Sequence, residues 1–281
     1  MSTSVLILVV MSALGIAFGF ILAYANKKFK VEVNPLIHLV EDVLPKGQCG
    51  ACGYAGCQAY AEAVVMDPDV PPDLCVVGKQ AVAEAVAELT GKKAAAVEPR
   101  VARIMCSGSA DKAQRGYEYN GVQDCAAAAL LFGGPKGCQY GCLGFGTCVK
   151  NCPFGALSMG ENGLPVVDEE KCTGCGKCQS VCPKQVIAMV PLAARVHVYC
   201  NSRDKGADVR KLCASGCLGC GLCARQCPYG AIEMKNNLPV IDHAKCAACL
   251  EAKCVPKCPT KAIAAIVSPA QRELVESVAG A

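Results

Sequence analysis

The stretch Cys172-Thr-Gly-Cys175-Gly-Lys-Cys178-Gln-Ser-Val-Cys182-Pro183 decides the fold of this chain. Its first three cysteines are separated by two residues each, and the fourth follows after three more and precedes a proline. Proteins that hold [4Fe-4S] clusters in pairs use this spacing, and the fourth cysteine then ligates the other cluster of the pair. Proline keeps the chain from continuing straight into a helix, so the fourth thiolate can point away from its own run.

The same run occurs three more times, twice with stretched loops. The copies are Cys217-x2-Cys220-x2-Cys223-x3-Cys227-Pro228, Cys138-x3-Cys142-x5-Cys148-x3-Cys152-Pro153 and Cys246-x2-Cys249-x4-Cys254-x3-Cys258-Pro259. The surrounding sequence repeats as well, since Leu164-Pro-Val-Val-Asp168 matches Leu238-Pro-Val-Ile-Asp242. A repeat of this kind indicates a duplicated structural unit. We therefore predict two tandem ferredoxin modules of the bacterial two-cluster type, each built from short strands and two short helices.

If the fourth cysteine of each run ligates the cluster held by the other run of its module, the four runs form four cluster sites. In the first module the predicted groups are Cys138, Cys142, Cys148 and Cys182, and Cys172, Cys175, Cys178 and Cys152. In the second module they are Cys217, Cys220, Cys223 and Cys258, and Cys246, Cys249, Cys254 and Cys227.

Composition supports metal sites as the main stabilising element. Cysteine makes up 24 of the 281 residues, tryptophan is absent and aromatic residues are 5%. Disulfides and zinc are the alternatives to iron–sulfur clusters. Cysteines this close cannot all pair with distant partners, and zinc sites usually join two well-separated CxxC knuckles without a third near cysteine. Clusters held by reduced thiolates also imply a reducing compartment.

A long uncharged segment opens the chain. Residues 5–25 are apolar or small, and 21 residues at helical rise span about 30 Å, the thickness of a bilayer core. A signal peptide is the alternative, but it would carry a basic segment before a shorter apolar stretch. Lys27, Lys28 and Lys30 follow at once and predict that the rest of the chain lies in the cytoplasm.

A second cysteine pattern follows a predicted linker at residues 31–45. It reads Cys49-x2-Cys52-x4-Cys57-x17-Cys75 and is rich in glycine, which allows tight turns around a cluster. Residues 58–66 and 79–89 are predicted helices, the second closed by Gly91. We interpret this segment as a small helical domain with one [4Fe-4S] cluster, a zinc knuckle being the alternative.

Four cysteines remain, namely Cys106, Cys125, Cys200 and Cys213. They form two pairs, one ahead of each ferredoxin module, in segments that resemble each other. Free buried thiols are the simple alternative. Because both copies of the repeat carry a pair, we predict that the four together bind a sixth cluster.

The predicted fold is thus α+β and dominated by iron–sulfur sites. Its parts are a transmembrane anchor (1–30), the single-cluster domain (31–92), two ferredoxin modules each preceded by a cysteine-pair segment (93–193 and 194–266) and a C-terminal helix (267–281).

Several function classes are not supported. No glycine-rich turn between a strand and a helix is followed by an acidic residue, so dinucleotide binding is not indicated. His38, His197 and His243 are scattered, no catalytic constellation is visible, and no nucleic-acid partner is expected. The formal net charge is +4, and residues 195–263 carry eleven Lys or Arg against five Asp or Glu. That excess is either a solvated surface or a docking face for an acidic partner.

An N-terminal anchor, the segment Gly47-Gln-Cys49-Gly-Ala-Cys52-Gly-Tyr-Ala-Gly-Cys57 and the ferredoxin modules together resemble the RnfB family. These are the B subunits of Rnf-type ion-translocating ferredoxin:NAD oxidoreductases, and the chain is similar to their long form with two modules. The resemblance implies a membrane-bound electron-transfer subunit that takes electrons from reduced ferredoxin. It would pass them to membrane subunits of a complex that reduces NAD and moves Na⁺ or H⁺, without a substrate site of its own.

The single-cluster domain is then expected nearest the membrane, with the basic C-terminal modules receiving the electrons. A membrane polyferredoxin serving another redox complex and an iron–sulfur scaffold are the remaining alternatives.

Overall fold

The computed structural model describes residues 3–29, 34–249 and 251–266, so the C-terminal helix predicted at 267–281 lies outside the described residues. Helix α1 (Thr3–Lys28) is apolar on all sides. Its stretch Val5–Lys28 is long and apolar enough to cross a membrane, and none of it is buried in the protein. Length and composition are the basis of this assignment.

Three helices form the small domain: α2 (Pro35–Val43), α3 (Cys57–Met66) and α4 (Lys79–Thr90). Their facing sides bury an apolar core that includes Val40, Tyr60, Val64 and Val86. Helix α4 ends at Gly91, whose φ of +68° is the left-handed conformation that favours glycine at this position. Helices α3 and α4 confirm the two helices expected from the sequence.

Helix α2 corrects the expectation of a linker at 31–45. The side chain of Asn34 accepts a hydrogen bond of 3.0 Å from the N–H of Leu36, and Pro35 occupies the first helical turn. Proline is favoured there because its missing N–H has no partner in a helix anyway. Ile37 and Val40 are then buried against the other two helices. Pro35 therefore marks the start of a helix.

The first ferredoxin module contains four strands and three short helices. They are β1 (Arg100–Ile104), α5 (Cys125–Leu130), α6 (Thr147–Lys150), β2 (Leu157–Met159), β3 (Pro165–Val167), α7 (Lys177–Ser180) and β4 (Ile187–Pro191). Strand β1 pairs antiparallel with β4, and β2 with β3, as two separate two-stranded sheets. The core between them contains Ala102, Ile104 and Val186 together with cysteine side chains.

The second module repeats this plan. Its elements are β5 (Val196–Val198), α8 (Gly206–Leu212), α9 (Leu222–Arg225), β6 (Ile232–Lys235), β7 (Leu238–Ile241), α10 (His243–Cys246) and β8 (Ile263–Ala265). Strand β5 pairs with β8 as β1 does with β4, and β6 pairs with β7 as β2 does with β3. The mixed helix and strand content and the two modules confirm the predicted fold class.

The segments that precede the two modules join each other. Ala113 forms an antiparallel bridge with Cys213, and the N–H of Gln114 donates to the carbonyl of Leu212 at 2.9 Å. The N–H of Ser107 donates to the carbonyl of Tyr199 at 3.0 Å. The modules are thus connected by main-chain hydrogen bonds near their cysteine pairs. The domain boundaries proposed from the sequence stay a prediction.

Candidate metal centres

Three cavities are each lined by four cysteines. The first has Cys217, Cys220, Cys223 and Cys258 in its wall. The second has Cys125, Cys142, Cys148 and Cys182. The third lies between the modules and has Cys106, Cys138, Cys200 and Cys213. Four sulfur atoms around one cavity are the ligand set that a [4Fe-4S] cluster requires.

The remaining twelve cysteines form the three groups that the spacing predicts, and within each group thiols lie near enough to influence one another's pKa. Burial raises the pKa of Cys75, and the nearby Cys57, Cys49 and Cys52 raise it further. Burial first, and then Cys172 and Cys175, raise the pKa of Cys178 to about 12, and Cys152 contributes to the raised pKa of Cys175. Burial and the neighbouring Cys246 and Cys227 raise the pKa of Cys254 to about 11, and Cys249 is one of the thiols that raise the pKa of Cys246.

This arrangement corrects the predicted grouping at one position. Cys125 lies in the cavity of Cys142, Cys148 and Cys182, where the spacing predicts Cys138. Cys138 lies between the modules with Cys106, Cys200 and Cys213, where the spacing predicts Cys125. The other four predicted groups keep their members together, including the crossed-over Cys152, Cys227 and Cys258. Ligation itself stays a prediction for all six groups.

The position of Cys125 follows from the start of helix α5. Asp124 caps that helix by accepting hydrogen bonds from the N–H groups of Ala126 and Ala127. Its other carboxylate oxygen accepts from Thr147 Oγ1 at 2.7 Å, and the same oxygen of Thr147 accepts from the N–H of Cys125 at 2.7 Å. Because Thr147 is next to Cys148 in the chain, these bonds hold Cys125 beside that cysteine.

The position of Cys138 follows from the joined segments. The N–H of Gly137 donates to the carbonyl of Gln114 at 2.9 Å, and the neighbouring Ala113 bridges to Cys213. This carries Cys138 toward the second module, into the cavity that contains Cys200 and Cys213.

The inter-module cavity is kept open by a glycine. A Cβ at Gly108 would stand 3.3 Å from Cys213 Sγ, 3.6 Å from Cys106 Sγ and 3.3 Å from Ala113 Cβ. Gly108 is buried, so a side chain there would have to enter the space among the sulfur atoms. Glycine allows the backbone to approach a bound group closely. The residues around this cavity therefore fit a bulky cluster.

Main-chain amides point at several of the sulfur atoms. The N–H groups of Ala156 and Ala231 donate to Cys152 Sγ at 3.4 Å and to Cys227 Sγ at 3.3 Å, in equivalent loops of the two modules. The N–H of Cys142 donates to Cys106 Sγ at 3.4 Å. Such hydrogen bonds stabilise thiolates and raise the reduction potential of the cluster they hold.

The spacing of the thiols bears on the zinc alternative. Within the described ranges, no three His, Cys, Asp or Glu side chains lie close enough to hold a single metal ion. Four thiolates on one zinc ion would all be about 2.3 Å from it and in mutual contact. The wider groups around cavities suit a polynuclear cluster.

The six groups follow one another without a gap. A thiol of one group raises the pKa of a thiol in the next group, although burial is the larger cause in every case. The pairs that are near enough for this influence are Cys49 with Cys175, Cys148 with Cys178, Cys106 with Cys142, Cys217 with Cys200, and Cys223 with Cys254. The order is therefore the small domain, the two sites of the first module, the inter-module site and the two sites of the second module.

One region that the sequence did not single out lies beside these groups. His197 and His243 come together in the structure, next to the ion pair of Arg103 and Glu169. Each of the four residues stands three positions before a cysteine, which is the only sequence signal that would have marked them.

This site architecture defines an iron–sulfur protein of the ferredoxin class that carries several clusters. A family model described as an Fe-S cluster matches residues 44–77, and one described as a 4Fe-4S dicluster domain matches residues 137–186 and 216–262. The presence of multiple [4Fe-4S] clusters is thereby supported for the small domain and both modules.

Relatives cover nearly the whole chain. It is 63% identical to the B subunit of the proton-translocating ferredoxin:NAD(+) oxidoreductase complex of Clostridium ljungdahlii, over 95% of this chain and 94% of that protein. It is 46% identical to the B subunit of the Na(+)-translocating ferredoxin:NAD(+) oxidoreductase complex of Acetobacterium woodii, over 90% and 75% of the two chains. It is 45% identical to the B subunit of the ion-translocating oxidoreductase complex of Methanosarcina acetivorans, over 93% and 98%. The chain belongs to this family of B subunits, the RnfB family.

Proposed function

We propose that the chain takes electrons from reduced soluble ferredoxin and passes them to membrane subunits of an ion-translocating ferredoxin:NAD⁺ oxidoreductase. The observation that carries the proposal is the unbroken order of six cysteine groups from the second module to the small domain. A [4Fe-4S] cluster supplies reversible one-electron chemistry when bound. The chain itself contributes the thiolates, the spacing and the amide donors, and it acts as an electron carrier without a substrate site.

The second module offers a docking place for the electron donor. Cys220 is the one exposed cysteine among the described residues. Arg225 donates from Nη2 to the carbonyl of Cys220 at 3.4 Å, and the exposed Lys257 and Lys261 flank Cys258 of the same group. An acidic partner would be attracted to this rim and would stand close to the most accessible sulfur atom.

The excess of positive charge here is not cancelled by local ion pairs. Of the five acidic residues between 195 and 263, four pair with a lysine: Asp208 with Lys211, Glu233 with Lys235, Asp242 with Lys245, and Glu251 with Lys253. Arg225, Lys257 and Lys261 form no ion pair in the described part of the chain. They therefore remain available to a partner.

The opposite end of the series belongs at the membrane. Helix α1 precedes the small domain by few residues, and Lys27 and Lys28 end it. We propose a single membrane span with the iron–sulfur domains on the cytoplasmic side, since basic residues flanking a span favour that side. The small domain would then lie nearest the membrane partner.

Two measurements on the holo-complex test this function. The tagged chain, extracted anaerobically from membranes, should copurify with other membrane subunits. Reduced ferredoxin should then reduce its clusters and support formation of NADH. A chain that purifies alone from detergent and is not reduced by ferredoxin would overturn the proposal and favour a carrier for a different complex.

A further inference from the structure

The interface between the two modules contains a buried polar cluster, which we call the His–Arg–Glu cluster. Its members are Arg103, Glu169, His197 and His243. Arg103 Nη1 donates to Glu169 Oε1 at 2.8 Å, and the ring centroids of the two histidines are 5.4 Å apart. Arg103 is 6% exposed and His197 1%. His197 is therefore not a surface residue, and His243 is half-buried.

The duplicated sequence relates the members of this cluster in pairs. Arg103 and His197 occupy equivalent positions in β1 and β5, three residues before Cys106 and Cys200 of the inter-module group. Glu169 and His243 both follow the repeated Asp and stand three residues before Cys172 and Cys246. One copy of the repeat therefore supplies an ion pair and the other a histidine pair at the same places. The four residues therefore stand three positions along the chain from cysteines of three groups.

The polar atoms of this cluster are incompletely paired. Five buried side-chain nitrogen or oxygen atoms in the described ranges have no hydrogen-bond partner, and four of them are Arg103 Nε, Glu169 Oε2, His197 Nδ1 and His243 Nδ1. Nε2 of His197 lies 3.0 Å from the carbonyl oxygen of Ala194, which can only accept, so Nε2 carries the hydrogen. Nδ1 of His197 then keeps a lone pair. A cluster that served packing alone would satisfy its polar atoms.

We propose that the His197–His243 pair binds one proton from solvent when the adjoining metal centres gain an electron, and releases it on reoxidation. The inference rests on the proposed function. One electron comes from a low-potential donor such as reduced ferredoxin and one proton comes from water, to be held on Nδ1 of His197 beside His243. No other bond forms or breaks, and both particles leave together on reoxidation.

Charged groups of both signs surround the two histidines and set the proton affinity of the pair. Burial lowers the pKa of His197 to about 4, Arg103 and His243 lower it, and Glu169 raises it. Burial also lowers the pKa of His243, Asp242 and Glu98 raise it, and Arg100 lowers it. Tyr199, whose ring is 6.3 Å from that of His197, has a raised pKa because it is buried and so stays neutral.

Because these charges oppose one another, we expect the charge of the neighbouring metal centres to decide whether the histidine pair holds a proton. One added negative charge at about 10 Å, with an effective dielectric constant near 20, raises proton affinity roughly tenfold. Cysteines of three groups stand three positions after the members of the cluster, and a centre held by four thiolates would be negatively charged. On this proposal their combined field offsets the burial, and one further electron then changes the occupancy of Nδ1.

The test is the pH dependence of the reduction potentials of the anaerobic holo-chain, followed by EPR between pH 6 and 8. At least one potential should fall with rising pH, by about 30 mV per unit at most, half the one-electron value of 59 mV, because a tenfold change in proton affinity alters the occupancy of the pair by about half a proton. His197→Gln and His243→Gln should each flatten that slope. His38→Gln is the matched control, because the exposed His38 is the remaining histidine of the chain and lies in helix α2. Potentials independent of pH, or slopes unchanged in both variants, would overturn the inference.

A second measurement covers the case in which His197→Gln fails to fold. Electrolytic reduction of the holo-chain in weakly buffered solution should consume up to about half a proton per coupled electron, as expected for a tenfold change in proton affinity, and His243→Gln, at a half-buried position, should abolish this uptake. Equal uptake in wild type and His243→Gln would contradict the inference. Electron transfer from ferredoxin without proton uptake would overturn this inference alone. Proton uptake without reduction by ferredoxin would overturn the proposed function alone.

Discussion

The N–H of Cys125 donates a hydrogen bond of 2.7 Å to Thr147 Oγ1. This contact joins residues 22 positions apart and places a cysteine from outside the ferredoxin runs beside Cys148. The hydroxyl in turn donates to Asp124, and this bond is the largest cause of the lowered pKa of that carboxyl group. Thr147 therefore links Cys125 to the cavity that contains Cys142, Cys148 and Cys182.

Replacing Thr147 by valine should weaken that site. The N–H of Cys125 would lose its partner in a partly buried position, at a cost of about 1–3 kcal/mol. We expect faster loss of about four irons to a chelator, measured anaerobically. Thr90→Val is the control. The Thr90 hydroxyl also donates one short hydrogen bond, to the carbonyl of Val86, but it lies at the end of helix α4 in the small domain. Equal rates of iron loss in both variants would contradict the role of Thr147.

Gly108→Ala should impair the inter-module site selectively. The new methyl group would stand 3.3 Å from Cys213 Sγ and from Ala113 Cβ, so the surroundings would have to move by a few tenths of an ångström. Iron content should fall by up to about four per chain, at four irons for each cluster. Gly116→Ala serves as control, since its methyl group would meet only Pro135 O, at 3.9 Å. Full iron content with unchanged EPR spectra in Gly108→Ala would contradict the binding of a [4Fe-4S] cluster in this cavity.

The buried ion pair between Arg103 and Glu169 should matter for stability. The two side chains are 8% and 20% exposed, and removal of one partner leaves a buried charge that costs about 3–5 kcal/mol. Arg103→Met should therefore lower the thermal midpoint clearly, and the additional change Glu169→Leu should restore part of the loss. Lys235→Met, which breaks an exposed pair, should change stability by at most about 0.5 kcal/mol. A double variant less stable than Arg103→Met would refute this account.

Neutralising the rim around Cys220 should slow reduction by ferredoxin. The triple variant Arg225→Gln, Lys257→Gln and Lys261→Gln should reduce the second-order rate constant about tenfold at low salt, because steering by charge raises association rates by roughly 10–10³. The difference should shrink as salt screens the rim. Stopped-flow absorbance measures the second-order rate constant and its dependence on salt concentration. Lys79→Gln, Lys93→Gln and Lys112→Gln remove the same charge elsewhere on the exposed surface and should have little effect. Equal slowing by both triple variants would exclude a specific docking place.

Much of this architecture is predictable because it depends on local sequence. Cysteine spacing identifies the runs, and the repeated Leu-Pro-Val segments identify the duplication. Gly91 marks the end of α4. Helix α2 escapes prediction because a proline usually breaks a helix, although the position of Pro35 directly after Asn34 suits the first helical turn.

The exchange of Cys125 and Cys138 is not predictable from spacing. It depends on hydrogen bonds between distant segments, such as Gln114 with Leu212 and Cys125 with Thr147. The meeting of His197 with His243 depends on the packing of one module against the other in the same way. Runs of cysteines specify that sites exist, whereas long-range contacts specify which cysteine belongs to which site.

The most direct test of the six-site series is the iron content of two double variants, purified anaerobically. The wild-type chain should hold about 24 irons, at four irons and four cysteines per cluster. Cys125→Ser with Cys182→Ser affects one site and should leave about 20 irons, whereas Cys138→Ser with Cys182→Ser affects two sites and should leave about 16. The reverse order, with the Cys125 pair losing more iron than the Cys138 pair, would contradict the grouping.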